Sequence, residues 1–341
     1  MYNVSSYIKT CIESLLNQSY SDFQAILVDD CSMDNSFEIA KQIANNDVRF
    51  SFYKHNQNSG VSVTRNTALD QAPGEYVLSL DGDDALAYDA LEKISLRLEK
   101  QNLDCLYYSA QTRDEAGLSA RFQEDFSTRI SFDEVATGSE LFTFFEENNQ
   151  FYPHGALQVV RRSLIENNSI RFIPGIIHED ILYTFQVLVN AKRSSFLNEP
   201  IYIRTVRNGS IMGAQRRTIA HIHGHLVCTN EMSKWLDSNF EDINSAFATA
   251  LSMRIAAYRN LCVRDWESDI TNEEKANYLD SLMPEDKKVF YTQVLGPGLE
   301  FLRNEDCIHN TRAFRVGDSL LRLPRKAKSL LTNAAAKRTG E

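Results

Sequence analysis

Two short apolar runs in this chain end in clusters of aspartate. Residues 23–28 (FQAILV) lead into Asp29 and Asp30, and residues 76–80 (YVLSL) lead into Asp81, Asp83 and Asp84. Apolar runs of this length, bounded by polar residues, read as buried strands. Carboxylates gathered where a strand leaves the core repel one another and resist desolvation. The pattern therefore calls for a positive partner at two strand ends. No other feature restricts the possible folds as strongly.

The intervening residues show how those strands are arranged. Ile8, Ile12, Leu15 and Leu16 recur at helical spacing, which predicts a helix over 5–18 with Ser5 or Ser6 as N-cap. Asp34-Asn35-Ser36 offers a cap for a helix through Phe37, Ile39, Ala40 and Ile43. A strand at 49–53, a loop at 56–60 and a helix over 61–71 follow, the helix closed by Pro73-Gly74. The strand at 75–80 precedes a helix at 87–100 and a strand at 103–109. Strands alternating with helices predict an α/β fold with a mostly parallel sheet flanked by helices. Ligands bind such sheets beyond the carboxyl ends of the strands, where both acidic clusters lie.

Further on, the pattern predicts a helix over 132–147, a strand at 156–160, a short helix at 162–167 and a strand at 196–204. His178-Glu179-Asp180 opens a helix through Ile181, Tyr183, Phe185, Val187 and Leu188. Beyond about Met212 strand signals fade, and the rest of the chain reads as a helical extension.

The chain's 341 residues suffice for one or two domains. A net charge of −10 argues against broad nucleic-acid binding. The six cysteines are scattered with no C-x-x-C pair, which predicts reduced thiols in a cytoplasmic protein. No apolar run reaches the roughly 18–20 residues that span a bilayer. From Arg312 onward eight Lys and Arg stand against Asp318 and Glu341, interleaved with Phe314, Val316, Leu320, Leu321, Leu323, Leu330 and Leu331. Such a tail suits either a packed final helix or peripheral contact with anionic lipid at the inner face of the cell membrane.

For the acids at 81–84, the simplest counter-charge is a divalent cation. Mg²⁺ and Mn²⁺ take oxygen ligands and are often held by one or two carboxylates together with substrate phosphates. An acidic rim loaded with such a cation attracts a diphosphate and steadies it as it departs. The same aspartates also suit helix caps and loop surface.

Tyr2-Asn3, the stretch 14–20 (SLLNQSY), 26–34 (ILVDDCSMD), Asn58-Ser59-Gly60 with Thr64-Arg65-Asn66, and Leu80-Asp81-Gly82-Asp83-Asp84 together resemble the family-2 glycosyltransferases of the GT-A fold. The resemblance follows residues 1–212 in order and spacing. It implies a GT-A domain over 1–212, with a nucleotide-binding half at 1–110 and an acceptor half at 111–212, then a helical region with a basic tail at 213–341. It implies an inverting transfer of a sugar from a nucleotide-diphosphate donor, with UDP expected, to a hydroxyl of a glycan or lipid-linked acceptor in surface polysaccharide synthesis. Tyr2 would flank the base and Asp30 would accept a hydrogen bond from it. Arg65 would reach the nucleotide or its diphosphate. Asp81 and Asp83 would contact the ribose and a metal–diphosphate, with Mn²⁺ or Mg²⁺ as cofactor. Cys31 stands where the family usually has glycine. Family members also carry an apolar strand of roughly seven residues directly before Tyr-Asn, so a strand missing ahead of Met1 is expected to be encoded upstream.

On the acceptor side the resemblance carries the base to Asp180, with Glu179 orienting it. Without the resemblance, both acids would simply complement the dipole of the helix they open. Arg204, Arg207 and Gly209-Ser210 suit either a loop closing over the diphosphate or a hinge. His221, His223 and His225 invite a metal reading, but only 221 and 225 share a helix face. Two other readings stay open: a non-catalytic sugar-nucleotide-binding protein, and a metal-dependent phosphotransferase. The second fits poorly, because Asp84-Ala85 follows Asp83.

Overall fold

A computed structural model describes residues 1–114, 129–206, 217–268 and 270–293. Arg207, Gly209, Ser210, Cys307 and the basic tail from Arg312 lie outside the described residues. The chain divides into two compact units between Gly224 and His225.

The first unit opens with α1 (Ile8–Leu16), β1 (Ala25–Asp29), α2 (Ser36–Ala44), β2 (Phe50–Lys54), α3 (Val61–Gln71), β3 (Tyr76–Leu78), β4 (Ala85–Leu86), α4 (Ala90–Gln101) and β5 (Cys105–Asp114). It continues with β6 (Phe132–Ala136), α5 (Gly138–Glu147), β7 (Gln158–Arg161), α6 (Arg162–Asn167), α7 (Glu179–Asn190) and β8 (Ser194–Val206). The expected α/β architecture is present: helices flank sheets, and both acidic clusters sit at strand ends. Val4, Ile8, Ile12, Ala40 and Phe50 form one core, while Ile94, Leu98, Leu106, Tyr108 and Tyr202 belong to another.

The pairing is more mixed than alternation predicts. β1 and β2 are parallel, as are β5 and β8. β3–β7, β5–β7, β4–β8 and β6–β8 are antiparallel. An apolar run shows that a strand is buried on both faces, not which way it runs, and mixed sheets are common in α/β folds. The helix expected over 132–147 is a strand followed by a helix. Thr137 starts α5 with a capping box: its hydroxyl accepts from the Glu140 N–H, and the Glu140 carboxylate accepts from the Thr137 N–H. That places residues 132–136 outside the helix, where they pair with β8.

β1 and β3 lie in separate sheets. β1 pairs with β2 on one edge and β3 with β7 on one edge, and no described strand pairs with the opposite edges. Among the described residues Met1 alone hydrogen-bonds to the chain there: its N–H₃⁺ donates to the Val28 carbonyl at 2.7 Å and its carbonyl accepts from the Asp30 N–H at 2.9 Å. This is parallel pairing of Met1 with Asp29. A cavity of about 1370 Å³ is lined by Ala25 and Leu27 of β1, by Val77 and Leu78 of β3, and by Ile12 and Leu98 of the covering helices. A segment joined to the Met1 nitrogen in this register would lie opposite Val28 and run back toward Ala25. It would also replace an ammonium whose pKa burial lowers. Extending Met1 with about five apolar, β-branched residues is therefore expected to raise the melting temperature by about 2–8 °C, a gain of about 1–2 kcal/mol. Thermal denaturation against a Gly-Ser extension of equal length checks this, and equal melting points would show that the cavity does not take a strand.

The described residues of the second unit are mostly helical, in keeping with the fading of strand signals. α8 (Ile219–Asn239) spans the division and is followed by α9 (Ser245–Trp266), α10 (Asn272–Ser281) and α11 (Pro284–Gln293). Asn244 caps α9 by accepting from the Phe247 N–H at 2.8 Å, and Trp266, Tyr278 and Phe290 pack edge to face. No helix among the described residues is long and apolar enough to cross a membrane.

Candidate functional site

The cavity beside β1 and β3 extends to Tyr2, Asp30, Arg65, Asp81, Asp83, Glu179 and Asp180, so it brings together these seven residues picked from the sequence, whereas His223 and His225 do not line it. Tyr2 is exposed at 40%. Its ring is therefore available for stacking.

Asp30 directly follows β1 and is buried. Its Oδ1 accepts from the Ser59 N–H at 2.9 Å and pairs with His55 Nδ1 at 2.8 Å, while Oδ2 accepts from the Gly60 N–H at 2.8 Å. Burial works to raise its pKa, but these hydrogen bonds outweigh it and hold the carboxyl below its ordinary range. Gly60 has φ +87°, a left-handed conformation that lets the chain turn into α3 while aiming two N–H groups at Asp30. Asp29 is fully buried and accepts from the Ser32 N–H and hydroxyl, which braces the turn. Cys31, in the same turn, has φ +60°. That explains the family preference for glycine at this position, and it costs this chain about 1–2 kcal/mol.

Arg65 is the centre of the site. Its Nη1 donates to Glu179 Oε1 at 2.9 Å and to Asp180 Oδ1 at 2.9 Å. Its Nη2 donates to both oxygens of Asp81, at 3.0 and 3.3 Å. The guanidinium also lies 5.1 Å over the Phe172 ring, which stacks on Tyr183 at 4.0 Å. Asn66, next to Arg65 on α3, clamps the Phe172 backbone from both sides: its amide donates to the carbonyl and its oxygen accepts from the N–H. α3 thus anchors the loop that precedes α7. Burial alone would lower the Arg65 pKa, but Asp180, Asp81 and Glu179 hold it well above its usual value.

Three carboxylates against one guanidinium leave a formal charge of −2 (three minus one) among groups no more than 30% exposed. Burial raises the Glu179 pKa to about 7, helped by Asp180, and Arg65 offsets only part of this. Asp180 is better provided. Its Oδ1 takes the Arg65 N–H and the Gly155 N–H at 2.9 Å. A side chain at position 155 would place its Cβ 2.6 Å from that oxygen, so Asp180 would have to shift. With Oδ1 pinned on two donors, Oδ2 is the oxygen left to receive a proton.

The loop carrying the other acids is tied to β8. Asp84 is buried and accepts from the Tyr202 hydroxyl at 2.6 Å and the Thr205 N–H at 2.7 Å. The Tyr202 oxygen in turn accepts from the Asp81 N–H at 3.4 Å. Burial first, and then Asp81, push the Asp84 carboxyl up to about 7. Asp84 is thus a bracing residue.

Toward a divalent cation, this chain offers Asp83 and Asp81, with Asp81 turned toward Arg65. Among the described residues no group of three His, Cys, Asp or Glu is placed to hold a metal. A donor set of one or two carboxylates still suits Mg²⁺ or Mn²⁺, which keep waters and take diphosphate oxygens for the remaining positions. Both Asp81 oxygens also accept from Arg65 Nη2.

His221 Nδ1 accepts from the Thr218 N–H at 3.2 Å, and its ring lies 5.4 Å from that of His178. His178 has φ +67° at the start of α7, and its pKa is pushed down to about 4 by burial, His221 and Arg217. It is therefore neutral at physiological pH. Sequence reasoning missed His55, His154, Gly155 and Tyr202. Each lies outside the acidic runs, and although Tyr202 falls in the strand expected at 196–204, no local motif marks any of them as facing the site.

The family model described as glycosyl transferase family 2 matches residues 1–168. The chain is 28% identical over 245 residues to the uncharacterized glycosyltransferase YibD of Escherichia coli (strain K12), covering 71% of this chain and 70% of that one. It is 30% identical over 197 residues to an uncharacterized glycosyltransferase of Haemophilus influenzae, covering 57% of this chain and 71% of the relative. It spans 65% and 30% of the length of two other curated relatives. Among solved structures, S. aureus TarS in complex with UDP-GlcNAc superposes with a TM-score of 0.66 at 22% identity, covering 85% of this chain and 79% of that one. The fold is therefore the GT-A type.

Proposed function

The chain belongs to glycosyl transferase family 2, and from that premise we propose an inverting transfer of a sugar from a UDP-sugar to a hydroxyl of a glycan or lipid-linked acceptor. The observation that carries this reading is the Arg65 hub. One guanidinium holds a strand-end carboxylate, Asp81, and two helix-start carboxylates, Glu179 and Asp180. Donor-side and acceptor-side acids thus share one cavity, which also contains Asp30. A solved structural neighbour, TarS, holds UDP-GlcNAc, which makes UDP the first nucleotide to test.

In this mechanism Tyr2 flanks the base and Asp30 accepts a hydrogen bond from it. Asp81 and Asp83 face the diphosphate. Asp180 Oδ2 takes the proton from the acceptor hydroxyl as its oxygen attacks the anomeric carbon, on the face opposite the departing diphosphate. Glu179, through Arg65, helps to fix where Asp180 stands. Arg65 also offsets the charge that develops on the diphosphate. Asp83 and Asp81 would hold a Mg²⁺ or Mn²⁺, which would neutralise further charge on the diphosphate.

Release of UDP from a panel of UDP-sugars with glycan and lipid-linked acceptors tests the reading. Turnover with at least one donor is expected. Binding of UDP-sugars without any turnover would instead support a non-catalytic binding protein. Chelation is expected to abolish transfer, and Mn²⁺ or Mg²⁺ to restore it. Full activity in excess chelator would remove the cation from the mechanism.

A further inference from the structure

The loop that leads into β7 carries His154 immediately before Gly155, whose N–H pins Asp180. His154 lines the same cavity. Its Nδ1 accepts from the Ala156 N–H at 3.2 Å, so in the neutral ring the proton sits on Nε2. Its ring lies 6.3 Å from that of Tyr202, and the Tyr202 hydroxyl takes the Asp81 N–H. The imidazole is also close enough to Asp81 to act on that carboxylate's charge.

His154 therefore adjoins both groups: its imidazole acts on the charge of Asp81, which faces the diphosphate in this reading, and the N–H of the next residue holds Asp180, which faces the acceptor. In an inverting transfer the moving sugar has to lie between these two. A fixed N–H donor there meets sugar hydroxyls, because the diphosphate and the acceptor oxygen occupy either side.

We infer that His154 is a specificity-determining residue whose Nε2–H donates to a hydroxyl of the sugar being transferred. This rests on the reading of the site as that of a UDP-sugar transferase. The side chain is positioned by two local features, the Ala156 N–H behind the ring and the Tyr202 ring beside it. Neither requires a bound ligand. Asp30 and Tyr2 lie at the end of β1 and beside Met1, so a change at position 154 is expected to leave nucleotide recognition alone.

The test is calorimetric binding of UDP, UDP-glucose, UDP-galactose, UDP-GlcNAc and UDP-GalNAc to the wild type, His154→Ala and His154→Gln, with melting temperatures as a folding control. The quantity read is the affinity for each UDP-sugar relative to UDP. For the sugar that the wild type prefers, His154→Ala is expected to lower this ratio about tenfold, the value of one lost hydrogen bond. The ranking of the four sugars should flatten. His154→Gln, which keeps an N–H donor, is expected to recover much of the preference. UDP affinity should not change. An unchanged ratio in His154→Ala would overturn the inference, as would a parallel loss of UDP affinity, which would make His154 a nucleotide contact. The function reading is tested separately, by turnover. A wild type that shows the sugar preference but transfers none of the four sugars would sink the enzymatic reading and leave the role of His154 standing. A protein that binds none of the five would sink both.

Discussion

Asp180→Asn lowers turnover by at least about 10²-fold, the size of a general-base contribution, with little change in donor affinity. The amide keeps the size of the carboxylate, and its oxygen can still accept from Arg65 and Gly155 as Oδ1 does now. Its other terminus, now NH₂, has no lone pair for the acceptor proton. The loss therefore falls on kcat rather than on donor binding. Steady-state kinetics with the best UDP-sugar, together with calorimetry for UDP, separate the two. A near-normal kcat would move the base to Glu179, which shares the same Arg65 nitrogen. Its raised pKa already suits it to holding a proton near neutral pH.

Arg65→Leu is expected to have the larger effect on stability, about 3–5 kcal/mol at neutral pH, because removing one partner of a buried ion pair leaves the others uncompensated. Here three carboxylates lose their shared cation. The loss should depend on pH in a definite direction. Glu179 already titrates at about 7 in the folded chain, above its ordinary value of 4.5. Without the guanidinium its pKa rises further, and that of Asp81 rises with it. A carboxyl with a raised folded pKa binds more protons folded than unfolded between its two pKa values. Stability therefore falls as pH climbs from the unfolded value through the folded one. The deficit relative to wild type should be smallest near pH 4.5 and greatest above pH 7. Denaturant melts of the metal-free proteins across that range measure it. Arg65→Lys should fall between the two in stability, since it keeps the charge and loses the fork that spans Nη1 and Nη2. A pH-independent deficit in Arg65→Leu would mean that lost packing on Phe172 dominates, not lost charge.

Most of what the sequence displayed lies in its local patterns. Apolar runs ending in acids marked β1 and β3. Helical spacing marked α1, α2 and α7, and the cap candidates at Ser5 or Ser6 and at Asp34-Asn35-Ser36 lay within three residues of the starts of α1 and α2. The helix expected over 132–147 shows where such reading stops. Residues 132–136 pair with β8 as a strand, and the capping box at Thr137 delays the helix. A capping residue can be read from sequence, but the edge of a strand some sixty residues further on cannot.

The site divides in the same way. The aspartates of the two strand ends and the acids that open α7 were legible, because each belongs to a local motif. Their convergence was not. Arg65 reads in sequence as a contact for the nucleotide, yet in the folded chain it joins Asp81 to Glu179 and Asp180 across 16, 114 and 115 residues of sequence. His55, Gly155, His154 and Tyr202 carry no motif at all. Their places come from backbone N–H groups and hydroxyls that reach the site only once the sheets and α3 have packed. By itself the sequence determined the order of elements, the family and the stock of carboxylates. The tertiary structure alone decided strand direction, which oxygen of Asp180 stays open, and which cation the acids share. The reason is range: propensity and periodicity act over a few residues, whereas a buried charge is settled by whatever the fold brings within hydrogen-bonding distance.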